Sequence, residues 1–117
     1  MDAESYYLKG LVEYENNCYE AAIDYFEQSI KIEEHFKSYE RLYSCWQQLG
    51  DTKKAFDCIE KAYRLNPDND KTAFEFATML AESEKYEQAR EVLAGILQRN
   101  PTYKKAAILA DSLKKSN

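Results

Sequence analysis

The chain has 117 residues, enough for one domain that buries a core without disulfides. Its 16 Lys and Arg residues against 21 Asp and Glu residues leave a net charge of -5, which argues against a nucleic-acid partner. No apolar run reaches the roughly 18 to 20 residues that a membrane span needs, and the acidic N-terminus is unlike a signal peptide. We therefore expect a cytoplasmic protein with no membrane partner.

Seven helices are predicted in chain order, because helix-forming residues recur throughout while only three Gly and two Pro interrupt them. Polar turns and the breaks at Pro67 and Pro101 set the helix ends. The predicted helices cover residues 4–16, 20–33, 36–49, 53–65, 70–83, 86–99 and 103–115.

A repeat of 33 to 34 residues organises these helices into pairs. The second helix of each pair carries a small residue, which is Ala22, Ala55 and Ala89 in turn. Four residues further on, each has a large apolar residue, namely Phe26, Ile59 and Leu93. The repeats span about residues 3–35, 36–69 and 70–103, and a last helix follows at about 103–115. Small residues let two antiparallel helices approach closely, and the large ones fill the space beside them.

The period and these positions resemble the tetratricopeptide repeat family. The resemblance implies one all-α domain over residues 1–117, a right-handed superhelix of antiparallel helix pairs with a C-terminal capping helix. Tyr43 departs from the pattern, since the family prefers a small residue there, opposite Ala55. We expect either a splayed second pair or a Tyr43 side chain that turns toward solvent.

The resemblance also implies a non-catalytic protein-interaction module that binds a peptide or a partner segment in a concave groove. In this family the groove is lined by the first helix of each pair. The corresponding residues here are Tyr7, Leu11, Tyr14, Lys37, Arg41, Ser44, Gln48, Lys71, Phe74 and Thr78. Tyr7, Leu11 and Tyr14 form one apolar stripe at helical spacing. That stripe is either the floor of the groove or a surface covered by another repeat or by a second copy of the chain.

One subset of the family holds the acidic tails of Hsp70 and Hsp90 with a clamp of Lys, Asn and Arg residues. The clamp positions are occupied here by Tyr7, Leu11, Arg41, Lys71 and Glu75. Only Lys71 matches, and Glu75 would repel a carboxylate, so binding of those tails is not expected.

An assembly scaffold is the alternative function, because charge is distributed unevenly along the chain. Residues 1–35 contain nine acidic and two basic residues, whereas residues 104–117 contain four basic residues and one acidic residue. The basic residues are Lys104, Lys105, Lys114 and Lys115. This polarity either favours weak head-to-tail self-association or is simply solvated surface charge.

Residues that commonly carry chemistry are sparse. Cys18, Cys45 and Cys58 form no CxxC pair and have no histidine at metal-ligand spacing, so we predict neither disulfides nor a metal site. Cys45 and Cys58 fall on apolar helical faces, whereas Cys18 lies in a turn and is the thiol expected to react. His35, the only histidine, is expected to be a solvated turn residue. With no phosphate loop, nucleophile elbow or HExxH motif in the sequence, we predict no cofactor and no enzyme activity.

Overall fold

A computed structural model describes residues 1–114, and Lys115 and the predicted end of the last helix lie outside these residues. The described chain is all-α and contains no strand. Its helices are α1 (Ala3–Glu15), α2 (Tyr19–Ile32), α3 (Phe36–Gln48), α4 (Thr52–Leu65), α5 (Asp70–Glu82), α6 (Tyr86–Arg99) and α7 (Lys104–Lys114). The seven predicted helices are therefore confirmed, because every observed start, and every observed end from α1 to α6, lies within one residue of its expected position.

The turn inside each helix pair has the same backbone feature. Asn17, Gly50 and Glu84 occupy equivalent positions and have φ values of 62°, 80° and 61°. Glycine adopts this left-handed conformation freely and asparagine tolerates it, whereas for glutamate it costs about 1 to 2 kcal/mol. The repeat thus dictates the turn even where the local residue does not favour it.

Side chains cap the starts of two helices. The Asp2 Oδ1 atom accepts a hydrogen bond from the Ser5 N–H at 2.8 Å at the start of α1. The Asn69 Oδ1 atom accepts from the Thr72 N–H at 3.0 Å at the start of α5. These caps satisfy amide groups that have no partner within the helix.

The chain divides into two compact units, of which the first is Met1–Leu65 and contains helices α1 to α4. In this unit α1 packs against α2, α2 against α3, and α3 against α4. The predicted small residues Ala22 and Ala55 and the predicted large residues Phe26 and Ile59 are all fully buried. The repeat pattern therefore identifies the core of this unit correctly.

The burial of Tyr43 contradicts one of the two expectations stated for this residue. It is 7% exposed, so the expectation that its side chain turns toward solvent is wrong. Ala55, the residue expected to face it, is also fully buried. Burial of an aromatic ring stabilises the folded chain by about 1.5 to 3 kcal/mol, which favours keeping this ring inside.

The second unit is Asn66–Asn117, and its described helices are α5, α6 and α7. The predicted core residues Ala89 and Leu93 are fully buried. Helix α7 packs on both α5 and α6 and buries Ala106 and Leu113. The Arg90 guanidinium also donates a hydrogen bond to the Leu113 carbonyl at 3.4 Å. This helix therefore caps the unit, as the family resemblance implied.

Candidate functional site

The predicted interaction residues lie on the first helices of the pairs. In the first unit they are Tyr7, Leu11 and Tyr14 on α1 and Lys37, Arg41, Ser44 and Gln48 on α3. In the second unit they are Lys71, Phe74 and Thr78 on α5. The geometry of each set is described separately below, and the role of these residues in binding stays a prediction.

Arg41 connects the two first helices of the first unit. Its guanidinium carbon lies 5.3 Å from the centre of the Tyr14 ring, within the range of a cation–π contact. Burial opposes the charge on Arg41, but hydrogen bonding with Tyr7 and the proximity of Tyr14 outweigh it, so the pKa of Arg41 is raised. Among residues 1–114, no acidic side chain forms an ion pair with Arg41. A half-buried cation thus lies over the Tyr14 ring, close to Tyr7, and forms no ion pair among the described residues.

Each of the two tyrosines packs against another aromatic ring. The Tyr7 ring lies 5.6 Å from the ring of buried Phe26, and the Tyr14 ring lies 5.7 Å from that of Tyr19 in an edge-to-face arrangement. Both tyrosines are half-buried, as is Leu11 on the same stripe. The stripe of Tyr7, Leu11 and Tyr14 is therefore partly packed inside the unit and partly exposed to solvent. Tyr7 in particular is a poor position for a test of binding alone, because its substitution would also disturb Phe26.

A pocket of about 220 Å³ lies beside this cluster, where α1 begins, α2 ends and α3 begins. The residues that line it are Ala3, Glu4, Tyr7, Ser29, Glu33, His35, Lys37 and Ser38. Two of these, Tyr7 and Lys37, are predicted interaction residues, whereas Tyr14 and Arg41 do not line the pocket. The Ser29 hydroxyl donates to the Ala3 carbonyl at 2.7 Å and holds the pocket wall together.

Sequence reasoning missed the pocket because several of its residues lack a functional pattern. Ser29 and Ser38 are 2% and 1% exposed, and only the packing of three helix ends brings them to one wall. His35 is exposed, as expected for a turn residue, but it also has a structural role. Its Nδ1 atom accepts the Lys37 N–H at 3.2 Å, and its ring stacks on Phe36 at 5.2 Å. The histidine therefore caps α3 and orients the pocket rim.

The remaining predicted residues of the first unit are Lys37, Ser44 and Gln48. Lys37 and Gln48 are exposed, and Ser44 is half-buried. Lys37 forms no ion pair among residues 1–114, so its ammonium group is available at the pocket rim. Lys37 and Arg41 are the two cations among the predicted residues of this surface, and Glu4 and Glu33 line the pocket beside Lys37.

In the second unit the structure assigns local partners to two of the three predicted residues. The Phe74 ring lies 6.0 Å from the ring of Tyr103, and Phe74 is half-buried. The Thr78 hydroxyl donates to the Phe74 carbonyl at 2.9 Å, one turn earlier in the same helix. Lys71 is exposed. Phe74 thus contributes to packing within its own unit as well as to the surface.

Sequence comparison decides the family. A model described as Tetratricopeptide repeat matches residues 47–114, which is more than half of the chain, and a second with the same description matches residues 3–36. The chain belongs to the tetratricopeptide repeat family. No curated protein matches it in sequence.

Solved structures of other proteins resemble this one over almost its whole length. YrrB, described as a TPR protein with an unusual peptide-binding site, superposes with a TM-score of 0.83 at 23% identity over 97% of this chain. This chain spans 59% of the YrrB chain. The SycD chaperone of Yersinia enterocolitica, bound to a YopD peptide, gives a TM-score of 0.78 at 15% identity, with 97% and 92% of the two chains covered.

The first tetratricopeptide domain of Spaghetti (RPAP3), bound to the HSP90 peptide SRMEEVD, is a third similar structure. Its TM-score is 0.79 at 17% identity, and 98% of this chain and 92% of that chain are covered. At these identities the likeness establishes a shared fold. The family, whose members are typically non-catalytic, and its peptide-bound members together support a protein–protein interaction module.

Within residues 1–114, no three His, Cys, Asp or Glu side chains are placed to hold a metal ion together. Over the same residues, no helix combines the length and the apolar character needed to cross a membrane.

We predict that Cys18 is the one thiol that reacts rapidly in the folded protein. Cys18 is exposed, whereas burial raises the pKa of Cys45 to about 11 and that of Cys58 to about 12. The thiolate is the reactive form, so at neutral pH both of these thiols are protonated, and Cys45 is also buried while Cys58 is half-buried. Mass spectrometry after brief iodoacetamide treatment should show one modification in native buffer and three in denaturant. Rapid native modification of Cys45 would contradict its burial.

Proposed function

We propose that the chain is a non-catalytic interaction module whose first unit binds an acidic group of a peptide or partner segment at Tyr7, Leu11, Tyr14 and Arg41. The observation that carries this proposal is the guanidinium of Arg41, which lies over the Tyr14 ring and forms no ion pair among the described residues. A carboxylate would supply the missing counter-charge and accept paired hydrogen bonds from the guanidinium. The apolar faces of Tyr14 and Leu11 would then contact aromatic or aliphatic neighbours of that acidic residue.

The peptide-bound relatives support this assignment at the level of ligand class. SycD and the Spaghetti domain both hold peptides, and YrrB is described as having a peptide-binding site. The acidic group proposed here differs from an Hsp70 or Hsp90 tail in its contacts, because the clamp positions in the first repeat are Tyr7 and Leu11 and offer no cation. Lys71, Phe74 and Thr78 remain predicted contacts of the second unit, and the cytoplasmic location remains a prediction.

Removal of the Arg41 charge should weaken peptide binding selectively. Peptides are first selected from a random display library on the wild-type chain, and their affinities are then measured by isothermal titration. We expect the selected sequences to place Asp or Glu beside an aromatic or aliphatic residue. Arg41→Gln should weaken their binding about tenfold or more, because a hydrogen bond to a charged group contributes about 1.5 to 3 kcal/mol.

Two matched variants make this test specific. Arg64→Gln removes a guanidinium that is exposed on α4 and paired with Glu60, and it should leave binding unchanged. Arg41→Lys keeps the charge but loses the planar fork, so its affinity should lie between those of the wild type and Arg41→Gln. Circular dichroism establishes that each variant is folded. Equal affinities for the wild type and Arg41→Gln would refute the proposed contact.

A further inference from the structure

Helix α1 exposes an apolar face that the Arg41 site does not use. Leu8 and Val12, one helical turn apart, are 52% and 56% exposed. This face, named here the front face, consists of Leu8 and Val12 with Glu4 and Glu15 one turn to either side. All four residues are exposed.

The other repeats show whether the position of Val12 is exposed or buried elsewhere in the chain. Cys45 and Leu113 occupy the position of Val12 in α3 and α7, and they are 0% and 3% exposed. Both helices pack on a preceding second helix that α1 lacks among the described residues, since α3 packs on α2 as well as on α4 and α7 packs on α6 as well as on α5. The position of Val12 is therefore one at which a further helix packs in this architecture.

Charge restricts which helix would fit. Residues 1–35 contain nine acidic and two basic residues, and Glu4 and Glu15 lie on the front face itself. A helix with an exposed apolar residue at its centre and lysines beside it would be complementary, because it would bury Leu8 and Val12 and pair with the carboxylates.

Helix α7 of the same chain has these properties. Ile108 is 70% exposed, which is the highest value among the large apolar residues within positions 1–114. Lys104 and Lys105 lie one turn before Ile108, so all three side chains lie on one side of the helix. Both lysines are exposed and form no ion pair among the described residues.

We propose that the front face of α1 docks α7 of a second copy of this chain, in a head-to-tail contact. Ile108 of one copy packs between Leu8 and Val12 of the other, and Lys104 and Lys105 approach the acidic side chains of the front face. Such a contact joins two different surfaces, so each copy keeps one free front face and one free α7. Association then continues into chains or closes into rings.

The contact joins one 13-residue helix to one 11-residue helix, which is small compared with a stable dimer interface. We therefore expect weak, salt-sensitive association. In sedimentation equilibrium the average mass of the wild type should rise with concentration above the micromolar range. The association constant should fall about tenfold or more between about 0.05 M and about 0.5 M salt. A monomer at all concentrations in low salt would overturn the proposal.

Two double variants test whether the front face and α7 are the two surfaces that form the contact. Leu8→Ser/Val12→Ser removes the apolar front, and Lys104→Glu/Lys105→Glu reverses the charge on α7, where Glu also suits the helix N-terminus. Each variant alone should remain monomeric. An equimolar mixture should form a dimer, because each variant retains the surface that the other lacks. Failure of the mixture to associate would overturn the head-to-tail arrangement.

Control variants distinguish this contact from non-specific association through exposed apolar or charged residues. Ile32→Ser removes another exposed apolar residue, and Lys31→Glu reverses a charge on α2. Both should associate as the wild type does. Association that survives Lys104→Glu/Lys105→Glu but is lost in Leu8→Ser/Val12→Ser would overturn α7 as the occupant. Arg41 lies outside both surfaces, so Arg41→Gln should self-associate as the wild type does. Self-association and peptide binding can therefore be tested independently of each other.

Discussion

Replacement of Phe26 with alanine is expected to lower the free energy of unfolding by about 3 to 5 kcal/mol. Phe26 is fully buried, and its ring contacts that of Tyr7 and lies against Gly10. Its removal leaves a cavity between α1 and α2 that the tight packing at Gly10 cannot refill by a small shift. The total stability of a domain of this size is about 5 to 15 kcal/mol, so the loss is a large part of it.

Urea denaturation monitored by circular dichroism measures this loss. Tyr25→Ala is the matched control, because Tyr25 is the preceding residue of the same helix and is only half-buried. Its cost should be clearly smaller than that of Phe26→Ala. Similar costs at the two positions would mean that the ring of Phe26 is not at the centre of this helix pair.

Gly10→Ala is expected to destabilise the chain by about 1 to 3 kcal/mol, although alanine is the better helix former. A Cβ atom at position 10 would lie 2.6 Å from the Phe26 Cε1 atom and 2.7 Å from its Cδ1 atom. The Phe26 ring is fully buried and cannot move aside cheaply. The steric cost therefore exceeds the gain of about 1 kcal/mol in helix propensity.

Gly95→Ala provides the matched control because it makes the same change within another helix, α6. There a Cβ atom would meet only the Arg99 Nη1 atom, at 3.6 Å, which is an ordinary contact. This variant should gain about 0.5 to 1 kcal/mol. Thermal denaturation should thus show shifts of opposite sign. In a double-mutant cycle, Phe26→Leu should reduce the cost of Gly10→Ala, since the ring that clashes is gone.

The helices and the core of each unit were predictable from the sequence because their signals are local. Ala22, Ala55 and Ala89 recur with the repeat, and all three are fully buried. A residue at this position faces the partner helix in every pair, so the pattern of one repeat carries to the next. The polar turns mark the helix ends for the same local reason.

The candidate site was predictable only as a set of positions. Tyr7, Tyr14 and Arg41 were predicted to line one surface, but their mutual contacts were not. Those contacts depend on the distance between α1 and α3, which follows from how each packs on α2. The pocket beside Tyr7 was not predicted, since residues from three helix ends form it.

The amino-acid sequence alone therefore determines the number, length and pairing of the helices, because helical periodicity and turn residues act within one repeat. Only the tertiary structure decides which equivalent residues are covered. Tyr43 is buried where solvent exposure was one expectation, while Val12 is 56% exposed although its equivalent Cys45 is fully buried. The physical reason is that burial depends on the helix that packs against a face, and a repeated sequence pattern does not specify whether that helix is present.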